Sequence, residues 1–157
     1  MDPFLDNPKG ESNILSRSAL HKRLQSEDPI EGLVVVIDDE RTILELMESF
    51  LRGYGIKVKG FTSPRVAIEW YRENAANVRM VFLDMCNPIM NGEDCFPILR
   101  SIDTDVPIVI ISGSADLKLV NQLIEQGALS FIPKPFDFLN LAAWIRQRLP
   151  GSVQYAS

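Results

Sequence analysis

From Gly32 onward the chain alternates between two kinds of apolar pattern. Leu33-Val34-Val35-Val36-Ile37 is an unbroken aliphatic run, the pattern of a strand buried on both faces, and it stops at Asp38-Asp39. Ile43, Leu44, Leu46, Met47, Phe50 and Leu51 then recur at helical spacing, and Gly53 and Gly55 close that helix. Ile56 to Phe61 predicts a second strand. Ser63-Pro64 supplies an N-cap and a proline at the first helical position of a helix reaching about Asn74. Met80 to Leu83 is a third strand ending at Asp84, Pro107 to Ile111 a fourth ending at Ser112, and Leu129 to Pro133 a fifth. Ala115 to Gln126 is helical as far as Gly127, and Phe138 to Leu149 is a last helix ended by Pro150-Gly151. Pro97 falls inside the third helix and cannot donate a backbone hydrogen bond. An irregular turn is therefore expected after Gly92, with regular helix from about Phe96.

Five strands alternating with five helices require parallel strands, right-handed crossovers and a sheet covered on both faces, an α/β doubly wound fold. Residues 32–149 make this domain. Residues 1–31 are a separate N-terminal extension, and 150–157 a flexible tail. Met1 to Glu11 is rich in Pro, Asp, Asn and Gly and is expected to be poorly ordered. Ser12 to Gln25 carries Ile14, Leu15, Ala19, Leu20 and Leu24 at roughly helical spacing, with Ser12 as its cap. This short stripe reads as a tail helix resting on the domain, with a dimerising helix as the alternative.

Composition narrows the function. Among 157 residues, 46% are hydrophobic and 24% charged, which excludes collagen-like and wholly disordered chains. A net charge of −5 leaves no broad basic surface for phosphate backbones, so direct nucleic-acid binding is not expected. No apolar run approaches the roughly 18 residues of a membrane span, and the N-terminus lacks the layout of a secretion signal. A soluble, cytoplasmic protein is expected. His21 is the only histidine, and Cys86 and Cys95 form no CxxC, which rules out a His/Cys zinc site and a Ser-His-Asp triad. Any chemistry falls to carboxylates.

In such sheets ligands bind beyond the carboxyl ends of the strands. Those ends carry Asp38-Asp39, Asp84, Ser112-Gly113 and Phe131-Ile132-Pro133-Lys134-Pro135. Singly, each has an ordinary explanation: helix-start acids, a turn aspartate, a serine cap, a solvated lysine. Together, three converging carboxylates would repel one another unless a divalent cation joined them. Oxygen ligands without His or Cys select Mg²⁺ or Mn²⁺. A cation, a lysine and a hydroxyl facing one carboxylate make a receptacle for a dianionic phosphoryl group.

From about residue 32 to 149 the chain resembles the response-regulator receiver domain of two-component signalling. The resemblance rests on Asp38-Asp39, on Asp84-Met85-Cys86-Asn87-Pro88 running into Ile89-Met90-Asn91-Gly92, and on Ser112-Gly113, Phe131 and Lys134-Pro135. The spacings fit as well: 45 residues from Asp39 to Asp84, 22 from Ser112 to Lys134 and 3 from Phe131 to Lys134. The resemblance implies a flavodoxin-like sheet of order 2-1-3-4-5 with five helices. It implies that Asp84 takes a phosphoryl group from a histidine kinase or histidine phosphotransfer protein. Asp39 and Asp84 would bind Mg²⁺ with the backbone carbonyl of Cys86, and Asp38 through water. Lys134, Ser112 and the Gly113 amide would receive phosphoryl oxygens, and the Lys134–Pro135 bond would be cis. Ser112 and Phe131 would form the switch, passing the signal to a downstream protein. That protein, or a second copy in a homodimer, would meet the fourth helix, fifth strand and fifth helix, with some of Leu117, Leu119, Val120 and Gln122 exposed. The N-terminal helix is the other dimerisation candidate. The kinase side would meet Ile43, Leu44, Pro135 and Phe136.

Several positions depart from the family pattern. Asn87 stands where an apolar residue is frequent, Ser112 replaces threonine, and Gly113 replaces alanine and loosens the loop. Phe131 lacks the hydroxyl of the frequent tyrosine, and a plain core role is its alternative. Cys86 and Ser114, which would flank the hydrolytic water, are small and uncharged, so neither very fast nor specially accelerated self-dephosphorylation is expected. Competing readings are a Mg²⁺-dependent phosphohydrolase with an aspartyl nucleophile, a flavin module, a phosphorylation-independent platform, and a receiver cut from a larger protein. The first lacks its general acid, because Cys86 stands there. The second lacks a phosphate-cradling loop after strand one.

Overall fold

The aliphatic runs form β1 (Leu33–Ile37), β2 (Lys57–Phe61), β3 (Val78–Asp84), β4 (Ile108–Ser112) and β5 (Ser130–Pro133). They make one parallel sheet of order β2-β1-β3-β4-β5, as expected. The computed structural model describes residues 16–113 and 116–149. The expectations for residues 1–11, Ser12, Ser114, Ala115 and the tail from Pro150 lie outside those residues.

The helices are α1 (Arg17–Ser26), α2 (Arg41–Arg52), α3 (Pro64–Asn74), α4 (Gly92–Ile102), α5 (Leu117–Glu125) and α6 (Phe138–Arg148), with a 3₁₀ turn at Ala75–Asn77. Among the described residues there are thus six α-helices, one beyond the five of the alternating pattern. The sixth is α1, in the extension, which starts at Arg17 and not at Ser12: Ser16, not the expected Ser12, is its N-cap and accepts from the Ala19 amide. Ser63 caps α3 with Pro64 in its first turn, as read from the sequence.

Successive strand residues point to opposite faces, so the sheet builds two apolar layers. Val34, Val36, Met80, Phe82, Val109 and Ile111 share one layer with Leu44, Met47 and Leu51 of α2 and Leu141, Ala142 and Ile145 of α6. Val35, Ile37, Val81, Leu83, Ile108 and Ile110 share the other with Ile68, Tyr71, Phe96, Leu99, Val120 and Leu123 of α3, α4 and α5.

One expectation is corrected here. No irregular turn follows Gly92: α4 is helical from there although Pro97 lies within it. Cys95 and Phe96 are buried and hold the first turns on the sheet, whereas Pro97 and Glu93 are exposed. The carbonyl that proline leaves without its helical donor belongs to Glu93, where water can serve it. Gly53 and Gly55 close α2 as expected: Gly53 is its C-cap with ordinary helical angles, and Gly55 takes the left-handed conformation, φ +75°. A Cβ on Gly55 would also stand 2.9 Å from the Pro29 Cα.

That close approach belongs to a larger junction. Leu24 and Ile30 are buried in the first layer. The Arg146 side chain, buried in α6, donates to the Glu27 carboxylate at 2.6 Å, to the Tyr54 carbonyl at 3.0 Å and to the Asp28 carbonyl. Arg17 pairs with Asp137 at 2.7 Å, so α1 lies alongside α6 from its first turn to its last.

Candidate functional site

The parallel sheet delivers the predicted acids to one place. Asp38 follows β1, Asp84 ends β3, and Ser112 ends β4 beside Pro133 of β5. One carboxylate oxygen from each of Asp38, Asp39 and Asp84 lies within 4.8 Å of the other two. Asp38 and Asp84 are buried and Asp39 is exposed, so the pocket has two sunken anions and one at its mouth. The Lys134 ammonium enters from β5, 2.6 Å from Asp38 Oδ2 and 3.5 Å from Asp84 Oδ2. Its own amide donates to the Ser112 carbonyl at 2.8 Å, which locks the lysine to the end of β4. The Lys134–Pro135 bond is cis, as expected.

The ordinary roles hold in part. Asp38 Oδ1 accepts from the Glu40 amide at 2.9 Å and so does serve the start of α2. Ser112 does not cap α5, whose N-cap is Asp116. It is buried. Gly113 borders the adjoining cleft and is exposed, and Cys86 is exposed beside Asp84. Phe131 is buried in the second layer. Of the residues expected to dock a kinase, Ile43, Pro135 and Phe136 line a cleft of about 330 Å³ that also touches Lys134 and Gly113. Leu44 is a correction: it is buried in the core against Gly60, because it lies on the sheet side of α2.

The electrostatics are those of a crowded anion pocket. Burial pushes the Asp84 carboxyl up to about 6; the Cys86 amide and Lys134 work against this, and Asp38 and Asp39 add to it. Burial alone would lower the Lys134 ammonium, but Asp38, Asp84 and Glu40 outweigh it and hold it above its ordinary value. Glu40, the residue after the acid pair, reaches Lys134 at 3.4 Å. Its signal was adjacency to the acid pair, but only the lysine's position makes it a partner.

The donor set fits a small hard cation. Carboxylate oxygens this close can be joined by one such ion, directly or through its bound water. Close approach of the backbone helps build this corner. Gly92 donates to the Met85 carbonyl at 2.9 Å, and a Cβ there would meet the Met85 Cα at 2.9 Å. Only glycine lets α4 start this near the end of β3.

The model of the response regulator receiver domain matches residues 34–146. The chain belongs to the response-regulator receiver family. Response regulator protein TmoT of Ectopseudomonas mendocina is 31% identical over 124 residues, which cover 79% of this chain and 56% of TmoT. DNA-binding response regulator MtrA of Mycobacterium tuberculosis is 34% identical over 122 residues, 78% of this chain and 52% of MtrA. The chain therefore spans about half the length of the curated relatives it matches. A receiver domain protein from Clostridium thermocellum superposes with TM-score 0.69 at 27% identity, covering 74% of this chain and 92% of that one. A chain of the CheX-CheY-BeF3-Mg complex from Borrelia burgdorferi gives 0.69 at 22%, covering 76% and 90%, and shares the fold. This receiver thus carries an acidic pocket of the kind that receiver domains use for Mg²⁺.

Proposed function

We propose that this receiver accepts a phosphoryl group on Asp84 from a phosphohistidine donor, a histidine kinase or histidine phosphotransfer protein. The observation that carries the assignment is the meeting of Asp38, Asp39 and Asp84 with the Lys134 ammonium at one corner of the sheet. With its carboxyl near 6, Asp84 is ionised at neutral pH and can attack phosphorus. One Asp84 oxygen forms the bond to phosphorus while the donor imidazole nitrogen leaves. The Cys86 amide, which donates to Asp84 Oδ1 at 3.2 Å, orients the carboxylate for that attack. Asp39, Asp84 and the Cys86 carbonyl would hold Mg²⁺ or Mn²⁺, with Asp38 acting through water. A bound cation supplies positive charge to the phosphoryl oxygens. Lys134 neutralises one phosphoryl oxygen, Ser112 donates to another, and the Gly113 amide assists.

A phosphoryl group adds nearly two negative charges, which draw Ser112 and Lys134 toward it and bias the loop after β4, with Phe131 behind it. The donor would meet the cleft of Ile43, Pro135 and Phe136, and a downstream protein would meet α5 and β5, where Leu117 and Gln122 are exposed.

Incubation with acetyl phosphate and Mg²⁺, followed by mass measurement, tests this. The parent chain gains one phosphate adduct, and Asp84→Asn gains none. The adduct outlasts the time scale of seconds, since Cys86 offers no charge to orient water. An adduct that persists in Asp84→Asn, or repeated turnover of a phosphate ester, would overturn the assignment.

A further inference from the structure

We propose that Asn87 is a positioning residue for the cation corner: its buried amide fixes where the Cys86 carbonyl stands relative to Asp38 and Asp39. The inference rests on the receiver reading above, which assigns that carbonyl to the cation.

Asn87 is 2% exposed, although it lies in the loop between β3 and α4 with the exposed Cys86 and Pro88 on either side. A buried side-chain amide is costly unless both ends are satisfied, and here both are. Its Oδ1 accepts from the Ile89 amide at 3.0 Å, and its Nδ2 donates to the Thr62 carbonyl at 3.0 Å. The amide has a single workable orientation, because a flipped group would set oxygen against the Thr62 carbonyl and nitrogen against an N–H.

Thr62 gives this clamp its meaning. It follows β2 directly, and the preceding carbonyl, that of Phe61, accepts from the Asp38 amide at 3.0 Å. Two adjacent carbonyls at the end of β2 therefore hold both sides of the cation corner. Phe61 holds the acid pair through its backbone, and Thr62 holds the acceptor loop through Asn87. Strand pairing cannot do this, because β1 lies between β2 and β3 in the sheet. The Cys86 carbonyl belongs to the peptide unit that ends on the Asn87 Cα. The Cys86 amide at the other end of that residue is tied to Asp84 Oδ1 at 3.2 Å. Pinning Asn87 thus pins the one cation ligand that no side chain supplies. An apolar residue here would pack but could not set this distance.

Calorimetric titration of Mg²⁺ into the metal-free full chain, with heat denaturation of the same samples, tests the proposal. In Asn87→Leu the Mg²⁺ affinity falls by about ten-fold, the usual scale for losing an outer support of a metal ligand. At saturating Mg²⁺, acetyl phosphate labelling of that variant returns toward the parent rate, so the loss sits in cation binding and not in the acceptor. Asn87→Asp is nearly isosteric and keeps the acceptor for the Ile89 amide, but sets a carboxylate against the Thr62 carbonyl. Its added charge alone would tighten cation binding, so weaker binding there isolates geometry. Parent-like affinity in Asn87→Leu overturns the proposal even if that variant melts earlier. Should Asn87→Leu not fold, parent-like or tighter binding in Asn87→Asp overturns it. A parent chain that binds no Mg²⁺ overturns this proposal and the site reading together. A parent that binds Mg²⁺ and loses it on Asp39→Asn keeps the site and leaves Asn87 to its own variants.

Discussion

Asp84 carries the tension of the site. Its carboxyl titrates near 6 when folded and near 3.8 when unfolded, so between those values the folded chain binds more protons than the unfolded one. Stability contributed by this group is therefore lost as pH rises from about 4 through 6. Without divalent cations, Asp84→Asn should be more stable than the parent at pH 7, by about 2 kcal/mol after allowing for solvent screening. At pH 4 the advantage should largely vanish. Thermal unfolding in a chelator at the two pH values checks this, and equal melting temperatures at pH 7 would refute it. The chemistry of these residues was legible as a list of strand-end acids with a lysine and a hydroxyl. The Glu40 contact to Lys134 and the Asn87 clamp were not, because each depends on which loop ends up beside which.

At the scale of elements, α1 changes what the molecule exposes. Leu24 is turned into its own core, and the last turn of α6 is held to the extension by Arg146. In α6 only Gln147 and Arg148 are exposed, and in β5 no residue is, so the face expected to serve output is open chiefly at α5. Arg146→Met keeps the apolar stem and removes the guanidinium, leaving the Tyr54 and Asp28 carbonyls and the Glu27 carboxylate without it. A destabilisation of about 2–3 kcal/mol is expected from lost hydrogen bonds to a charged group. Amide exchange across Arg17–Ser26 should accelerate beyond the global effect. Unchanged exchange in α1 would show that the clamp does not hold the extension. The periodicity of α1 and its rest on the domain were legible in the sequence; the choice of α6 as its neighbour was not, since a short stripe does not specify which element it meets.

At the scale of the whole molecule, like charges brought together by the sheet make the fold responsive to a cation. Mg²⁺ held by the folded corner and not by the dispersed unfolded acids would stabilise the chain by mass action. At a hundred times its dissociation constant the gain is about 2.7 kcal/mol, or about 5–10 °C in melting temperature. Asp39→Asn should lose most of that shift, and a parent-sized shift in this variant would place the cation elsewhere. No helix among the described residues is long and apolar enough to cross a membrane. What the sequence determined alone was periodic and local. Aliphatic runs set the strands, helical spacing set most helices to within a residue or two, with α1 and α4 starting elsewhere than read, and parallel alternation required the acids to gather at one edge. What only tertiary structure decided was every relation between residues distant in the chain: α1 on α6, Glu40 beside Lys134, Leu44 turned inward, Thr62 holding Asn87. Pro97 belongs with these, since a helix tolerates proline where the freed carbonyl meets water, and exposure is a property of the packed molecule. Local propensity acts within a few residues, whereas these contacts are chosen by how whole layers fit together.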